Sequence, residues 1–179
     1  MVNDFVYVSS ANGSDENAGT KAQPYASLNK ALEAAKNGDI IYIVDTYQVE
    51  SPDTSWAAHG KDVIITGGVL DFTAGNVVNL RDGVTFKNMT LNFQEETSVY
   101  ANGNRLKIDS DTIVNGVLLV YGAGNGGTVE STDVTLLSGN YRRVFGAGVK
   151  ATVNGDTNIY IAGDVNKTRE YSSSSFVIY

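Results

Sequence analysis

The chain has 179 residues, of which 42% are hydrophobic and 18% are charged, a composition typical of one soluble domain with a real core. Its 13 basic and 20 acidic side chains give a net charge of −7, which opposes binding to nucleic acid and to anionic membranes. The absence of cysteine excludes disulfides and thiolate metal sites. Met1 leads into polar residues without a basic or apolar leader, so we expect no signal peptide in this chain and no membrane insertion.

The first 47 residues predict a cap unit made of two strands, a loop and a helix. Ser27 is a suitable N-cap, because its hydroxyl can accept a hydrogen bond from the first turn of a helix. We expect three helical turns that end at Gly38. In order, the elements are the strand Phe5–Val8, the turn-rich loop Ser9–Thr20, the helix with its apolar face at Leu28, Ala31, Leu32 and Ala35, and the buried strand Ile40–Val44.

Residues 48–61 form a polar segment that we predict to be an insertion loop. It contains the only tryptophan and the only histidine of the chain, Trp56 and His59. Insertions in solenoids project from one face and often carry binding groups. We predict that Trp56 and His59 form a platform for a sugar ring together with Tyr100, since an aromatic face packs well on the apolar face of a pyranose. The alternative is that Trp56 folds back as a hydrophobic lid.

A ten-residue pattern occurs twice in the centre of the chain. Val63–Phe72 aligns with Val84–Phe93, and in each copy apolar residues stand at i, i+2, i+7 and i+9, which predicts two short strands separated by a kink. A repeat this short cannot hold a strand, a helix and a return, so it favours strands that wind and stack in parallel. The predicted stacked pairs are Val63/Val84, Ile65/Phe86, Leu70/Leu91 and Phe72/Phe93.

The same pattern continues towards the C-terminus. Leu106 and Ile108 restart it after Val84 and Phe86, and Val134 and Ile159 are the corresponding residues of later turns. We therefore predict an all-β fold, a right-handed parallel β-helix of seven or eight turns with a short N-terminal capping α-helix. We also predict that residues 1–179 form a single domain, in which residues 62–179 are stacked rungs that continue in a longer parent protein.

Several segments of the cap unit also resemble a known fold family. They are Tyr7–Ser9, Gly13–Thr20, Pro24–Leu28, Ala31–Leu32, Ala34–Ala35 and Gly38–Ile43. These segments resemble the opening of the pectin-lyase-like right-handed parallel β-helix superfamily, in which a strand, a loop and a helix close the N-terminal end. Lyases, hydrolases, binding modules and adhesins share this opening, so the resemblance implies the fold and leaves the activity open.

A second resemblance lies in the C-terminal half. Leu137–Gly148, followed by Thr152–Ile159, is similar to β-helical repeats of adhesin-like surface proteins of bacteria and archaea, although Ser138 and Ala147 stand where glycine is usual. This resemblance implies an extracellular or cell-surface location. The partner that we expect for such a module is a polysaccharide or a cell-surface glycan.

Tyrosines recur at spacings close to one solenoid turn, at Tyr100, Tyr121, Tyr141 and Tyr160. Stacked like side chains stabilise solenoids, so we predict a tyrosine ladder. The alternative is a ligand-binding face, for which the candidate residues are Tyr100, Tyr141, Arg142 and Arg143. The pair Arg142–Arg143 is otherwise interpreted as a solvated rung face.

The loop Asn12–Thr20 is the candidate calcium site, at Asp15 and Asn17, because calcium takes oxygen ligands. It lacks the alternating aspartates of an EF-hand, and the alternative is that Asp15 and Asn17 cap backbone amides in a tight turn. We predict no other cofactor. His59 has no second histidine with which to form a metal pair.

For a lyase, the resemblance to the pectin-lyase-like superfamily implies an arginine or lysine base and an aspartate cluster that holds calcium. For a hydrolase, it implies two or three carboxylates that converge over a sugar. The candidates are Asp109 and Asp111, predicted on one face of a strand, and Asp133 and Asp156 further on. They form no such constellation in the sequence. We therefore predict a non-catalytic carbohydrate-binding or adhesin-like module of a larger surface or secreted protein. The alternatives are a polysaccharide lyase or glycoside hydrolase, and a phage tail-fibre segment, which would trimerise.

Overall fold

The computed structural model describes residues 4–49, 53–55, 60–73 and 77–167. Over these residues the chain is a right-handed parallel β-solenoid of about five turns with one short helix near its N-terminus. The predicted fold class is confirmed. The predicted seven or eight turns are too many, because residues 9–39 form the loop and helix of the cap unit and later turns are longer than the 21-residue repeat, as the pairing of Leu106 with Val134 shows.

The structure contains α1 (Leu28–Ala34) and fifteen strands among the described residues. The strands are β1 (Phe5–Val8), β2 (Ile40–Val49), β3 (Asp53–Ser55), β4 (Asp62–Phe72), β5 (Val77–Asn79), β6 (Gly83–Lys87), β7 (Thr90–Phe93), β8 (Thr97–Tyr100), β9 (Arg105–Ile108), β10 (Ile113–Asn115), β11 (Leu118–Tyr121), β12 (Thr128–Val129), β13 (Thr132–Phe145), β14 (Thr152–Val153) and β15 (Thr157–Lys167).

Thirteen of these strands line three faces, which we call the first, second and third sheets, while β12 and β14 pair only with each other. The first sheet contains β1, β6, β9 and the first parts of β2, β4, β13 and β15. The second contains β7, β10, the later parts of β2, β4 and β15, and residues 138–140 of β13. The third contains β3, β5, β8, β11 and the end of β13.

Long strands turn from the first sheet to the second at a register shift. In β2 the shift falls between Ile43 and Thr46, opposite Gly67 of β4. Gly67 has φ of +98°, and a Cβ there would lie 2.5 Å from the carbonyl oxygen of Ile43. Glycine is therefore required at this corner, because a side chain would meet both backbone strain and a clash.

The stacking predicted from the central repeat is confirmed. Val63, Ile65, Leu70 and Phe72 pair in parallel with the four residues expected. The Phe72 and Phe93 rings stack with centroids 4.6 Å apart. Later turns keep the predicted register, in the pairs Val84/Leu106, Phe86/Ile108 and Val134/Ile159.

The interior of the solenoid is a continuous apolar column. Strands such as β4, β7 and β11 bury alternate residues, and side chains such as Ile65, Leu106 and Leu118 have no exposed surface. Burying a large aliphatic side chain contributes roughly 1.5–3 kcal/mol relative to leaving it exposed. The column therefore supplies the main stabilisation of the fold.

The cap unit covers the first rung. The outer edge of β1 is hydrogen-bonded to the following loop, through Tyr7 N–H to the Gly19 carbonyl (2.8 Å) and Tyr25 N–H to the Tyr7 carbonyl (2.9 Å). Ser27 is the N-cap of α1, as predicted, and its hydroxyl accepts from the Lys30 N–H at 3.1 Å. At 7 residues the helix has two turns rather than the predicted three, since Ala35 is already extended.

Two side chains of the solenoid hold the cap unit in place. Lys61 Nζ donates to the carbonyls of Leu32 (3.2 Å) and Glu33 (3.0 Å), and also to that of Ala35, so it satisfies the C-terminal end of α1. The Asp45 carboxylate accepts from the hydroxyls of Ser9 and Ser10 and from the N–H groups of Ser10 and Ala11. Burial raises the pKa of Asp45, but these hydrogen bonds outweigh it and hold the pKa below 3.8.

We expect Asp45→Asn to lower the free energy of unfolding by about 1 kcal/mol at neutral pH, because charge-assisted hydrogen bonds to the cap loop are lost from a partly exposed site. A lowered pKa stabilises the fold above the ordinary value of 3.8, and this stabilisation is lost as the pH falls through the folded-state pKa. The difference between the wild type and the variant should therefore shrink below pH 3.8 in denaturant titrations. A difference that grows on acidification would contradict the role given to Asp45.

Candidate functional site on the outer faces of the solenoid

Three aromatic rings form a stack on the outside of the third sheet. The Tyr100 and Tyr121 ring centroids are 4.6 Å apart, and those of Tyr121 and Phe145 are 4.8 Å apart, with interplanar angles of 14° and 2°. Tyr121 lies in register with both neighbours. The predicted ladder is therefore correct for Tyr100 and Tyr121 and wrong for Tyr141 and Tyr160, since Phe145 takes the third position.

The register shift between β11 and β13 explains the position of Tyr141. The shift falls between Leu118 and Leu119, and it places Tyr141 beside the inward-facing Leu118. Tyr141 is completely buried, and its hydroxyl donates to the Ser138 carbonyl at 2.6 Å. Burial raises the pKa of Tyr141 well above its usual range. Tyr160 lies on the first sheet beside Thr135 and is 61% exposed.

Charged residues flank the aromatic stack. Arg142 forms an ion pair with Glu96 at 2.7 Å, and the exposed Arg143 lies beside Leu119 of β11. Burial raises the pKa of the Tyr121 hydroxyl, Arg143 lowers it and Glu96 raises it further, so both charges act on this ring. The structure thus brings the predicted site residues Tyr100, Arg142 and Arg143 together on one sheet.

The stack itself offers little surface to a sugar ring. A pyranose packs on the face of an aromatic ring, but each internal ring face of this stack is covered by its neighbour. Tyr100 is only 8% exposed. The stack therefore stabilises the third sheet. Trp56 and His59, the other residues of the predicted platform, lie outside the described residues; of the predicted insertion, Gln48 and Val49 belong to β2, and β3 pairs with β5.

A second row of polar side chains runs along the outside of the second sheet, and we call it the amide row. Gln48, Asp71, Asn92 and Asn115 occupy equivalent positions in four successive turns. Asn140 and Asn166, which pair with each other, continue the row. Asn140 joins it because its Nδ2 donates to the Val114 carbonyl at 3.5 Å, next to Asn115.

Hydrogen bonds connect the members of the amide row. Gln48 Nε2 donates to an Asp71 carboxylate oxygen at 3.0 Å, and Gln94 Nε2 approaches both Asp71 oxygens at 3.4 Å. Asn115 Nδ2 donates to Asn92 Oδ1 at 2.7 Å. These contacts fix the side chains along the solenoid axis, so the row is a pre-organised strip of polar groups.

A less polar row accompanies the amide row on the same sheet. Thr46, Val69, Thr90 and Ile113 are in register with one another, each two residues before a member of the amide row. Residues two apart in a strand point to the same face. Ile113 is 60% exposed. The second sheet therefore presents an apolar and hydroxyl-bearing strip beside a strip of amides.

Sequence reasoning missed the amide row, although the sequence contains its signal. Asp71 and Asn92 occupy the same position in the two copies of the central repeat, between the apolar residues of the second strand. The members of the row differ in type, so no single residue type recurs along its whole length at the spacing of one turn, as tyrosine does in the predicted ladder.

The candidate carboxylates lie apart from the amide row. Asp109 and Asp111 follow β9, which ends at Ile108, so the prediction that they share a strand face is wrong. Lys107 Nζ lies 3.3 Å from Asp109, and Asp111 accepts from the Asn88 N–H at 2.9 Å. Asp133 is on the first sheet beside Arg105, and Asp156 precedes β15.

The candidate calcium residues Asp15 and Asn17 are hydrogen-bonded to the segment Pro24–Ser27. Asp15 accepts from the N–H groups of Ala26 (3.0 Å) and Ser27 (2.8 Å) and from the Ser27 hydroxyl (2.7 Å). Asn17 Nδ2 donates to the Pro24 carbonyl at 2.9 Å. Within the described part of the chain, no three histidine or acidic side chains are grouped so that they could hold a metal ion. Calcium binding by Asp15 and Asn17 stays a prediction.

Comparisons with models of protein families, with curated proteins and with solved structures found no match to this chain. In the described ranges, no helix has the length and apolarity needed to cross a membrane. The class of protein is therefore defined by the fold itself, a right-handed parallel β-solenoid.

We expect Tyr121→Ala to lower the free energy of unfolding by roughly 2–3 kcal/mol, because it removes both ring contacts of the stack together with half-buried surface. Tyr121→Phe should cost less than about 1 kcal/mol, since it keeps the ring. The matched control is Tyr160→Ala, whose exposed side chain makes its removal worth at most about 0.5 kcal/mol. Equal losses for Tyr121→Ala and Tyr160→Ala in urea titrations would show that the stack does not stabilise the sheet.

Proposed function

We propose that this chain is a non-catalytic module of a surface or secreted protein and that it binds a polysaccharide along the amide row. One observation carries the proposal: polar side chains of matching position recur in successive turns of the solenoid, from Gln48 to Asn166. A repeated row suits a repeated ligand. Stacked strands lie about 4.8 Å apart, so hydrogen-bonding groups recur at short intervals along the solenoid axis.

The chemistry of the second sheet suits a sugar chain. An amide side chain both donates and accepts hydrogen bonds, as sugar hydroxyls do. The neighbouring strip of Thr46, Val69, Thr90 and Ile113 offers methyl groups to the C–H faces of the sugar rings. Each contact alone is weak, but a polymer engages several turns at once, and the linked contacts add as avidity.

The two sequence resemblances support the same proposal. The cap unit resembles the opening of the pectin-lyase-like superfamily, and Leu137–Ile159 is similar to repeats of adhesin-like surface proteins. Both groups include proteins that work outside the cell on polysaccharides or cell surfaces. We therefore place this module, as part of the proposal, in an extracellular or cell-surface protein.

A rigid stalk is the second candidate function. The specific observation that favours it is the covered aromatic stack of Tyr100, Tyr121 and Phe145, together with the Phe72–Phe93 pair inside the solenoid. Such stacks join successive turns and resist bending. A stalk needs no ligand, so a glycan panel distinguishes it from the binding module.

We expect the double variant Asn92→Ala/Asn115→Ala to weaken polysaccharide binding about tenfold, because two hydrogen-bonding groups of roughly 0.5–1.5 kcal/mol each are lost from the centre of the row. Affinity electrophoresis or calorimetry against the best ligand of a glycan panel measures the effect. The matched control is Asn12→Ala/Asn158→Ala, which removes two exposed asparagines from the cap loop and the first sheet. Equal affinity of the two double variants would contradict the assigned face.

The same panel tests the class of function when it is run with and without calcium and followed for sugar products. Binding without product supports the proposal. Release of unsaturated sugars or of reducing ends at ordinary enzyme rates would overturn it in favour of a lyase or a hydrolase. No binding across the panel would favour the stalk, and a trimer in solution would favour a phage tail fibre.

A further inference from the structure

We propose that the polysaccharide of the amide row carries free amino groups, as polymers of non-acetylated amino sugars do. This inference rests on the proposed function and names the class of its ligand. It starts from Asp71, the one carboxylate among the six members of the row. A carboxylate within a row of amides determines whether the neighbouring amides face it with an N–H group or with an oxygen.

An ionised carboxylate only accepts hydrogen bonds, so the two glutamines beside Asp71 must donate to it through Nε2. Their carbonyl oxygens are then left for a ligand. Asn115 likewise donates one N–H to Asn92, and its own Oδ1 is left as an acceptor for a ligand. Open acceptor sites on the row, including the remaining lone pairs of Asp71, therefore outnumber open donors.

The charge of the second sheet points the same way. Its strand residues 46–49, 69–72, 90–93, 113–115 and 138–140 include one charged residue, Asp71. The later part of β15 adds the exposed Asp164 and, at its end, Lys167. The chain as a whole has a net charge of −7. A protonated amine is positive and purely a donor, which complements this surface, whereas a uronate or a sulfate is negative and purely an acceptor. A neutral sugar hydroxyl both donates and accepts, so its complementarity to this surface lies between that of the amine and that of the uronate or sulfate.

The test compares three oligosaccharides of equal length by calorimetry: a glucosamine oligomer with free amines, its N-acetylated counterpart and an oligogalacturonate. A pH of about 5.5 keeps the sugar amines protonated. We expect the amine form to bind about tenfold more tightly than the acetylated form and the uronate to show no binding. The preference should decline as the salt concentration rises, because the attraction between exposed charges is screened.

Asp71→Asn isolates the carboxylate without changing the size of the side chain. We expect it to reduce the preference for the amine form over the acetylated form to about threefold or less, because the amine loses its charged partner. Asp133→Asn is the matched control, because it removes the same charge from an exposed position on the first sheet. Thermal unfolding of both variants verifies that the fold is kept.

The outcomes separate this inference from the proposed function. Equal affinity of the wild type for the amine and acetylated forms would overturn the inference and leave the binding module intact. The inference would also be overturned if the uronate bound more tightly than the amine form. Equal effects of Asp71→Asn and Asp133→Asn on the preference for the amine form would overturn it as well. If the wild type bound none of the three oligosaccharides or any other glycan, the proposed function itself would fail.

Discussion

The structure depends on parallel stacking in which each turn places its residues over those of the turn before. Val63 over Val84 and Phe86 over Ile108 are two cases of one rule, and the apolar column follows from it. In a closed barrel the sheet edges pair with each other, but a solenoid leaves edges at its ends. The first rung is therefore covered by the Gly19–Tyr25 segment and α1. Lys61 holds the end of α1, and Asp45 holds the start of the cap loop at Ser9–Ala11.

The same rule that fills the interior also organises the surface. A strand that keeps its register must bring outward-facing residues into line as well, so equivalent positions become rows. On the third sheet this yields the aromatic stack, whose rings cover one another and stabilise the fold. On the second sheet it yields the amide row, whose polar groups face solvent. One sheet thus carries a covered aromatic stack and another a row of linked polar side chains.

The architecture was predictable from the sequence because its cause is local and repeated. The offset between Val63–Phe72 and Val84–Phe93 fixes the register directly, and Ser27 fixes the start of the helix. The tyrosine ladder failed at Tyr141 because spacing alone does not reveal the register shift at Leu118, which turns that ring inward. The amide row escaped notice because the solenoid conserves position and outward direction rather than residue type.

The alignment of Asn92 over Asn115 is the central claim, and cross-linking tests it directly. The chain has no cysteine, so Asn92→Cys/Asn115→Cys introduces one pair only. Neighbouring strands lie about 4.8 Å apart, within the roughly 4.4–6.8 Å between Cα atoms that a disulfide spans. The account predicts that mild oxidation gives a monomer with an internal disulfide, seen by mass and gel mobility, while Asn92→Cys/Asn158→Cys stays reduced. If the first pair stayed reduced or linked only separate chains, the stacked register and the amide row would both be wrong.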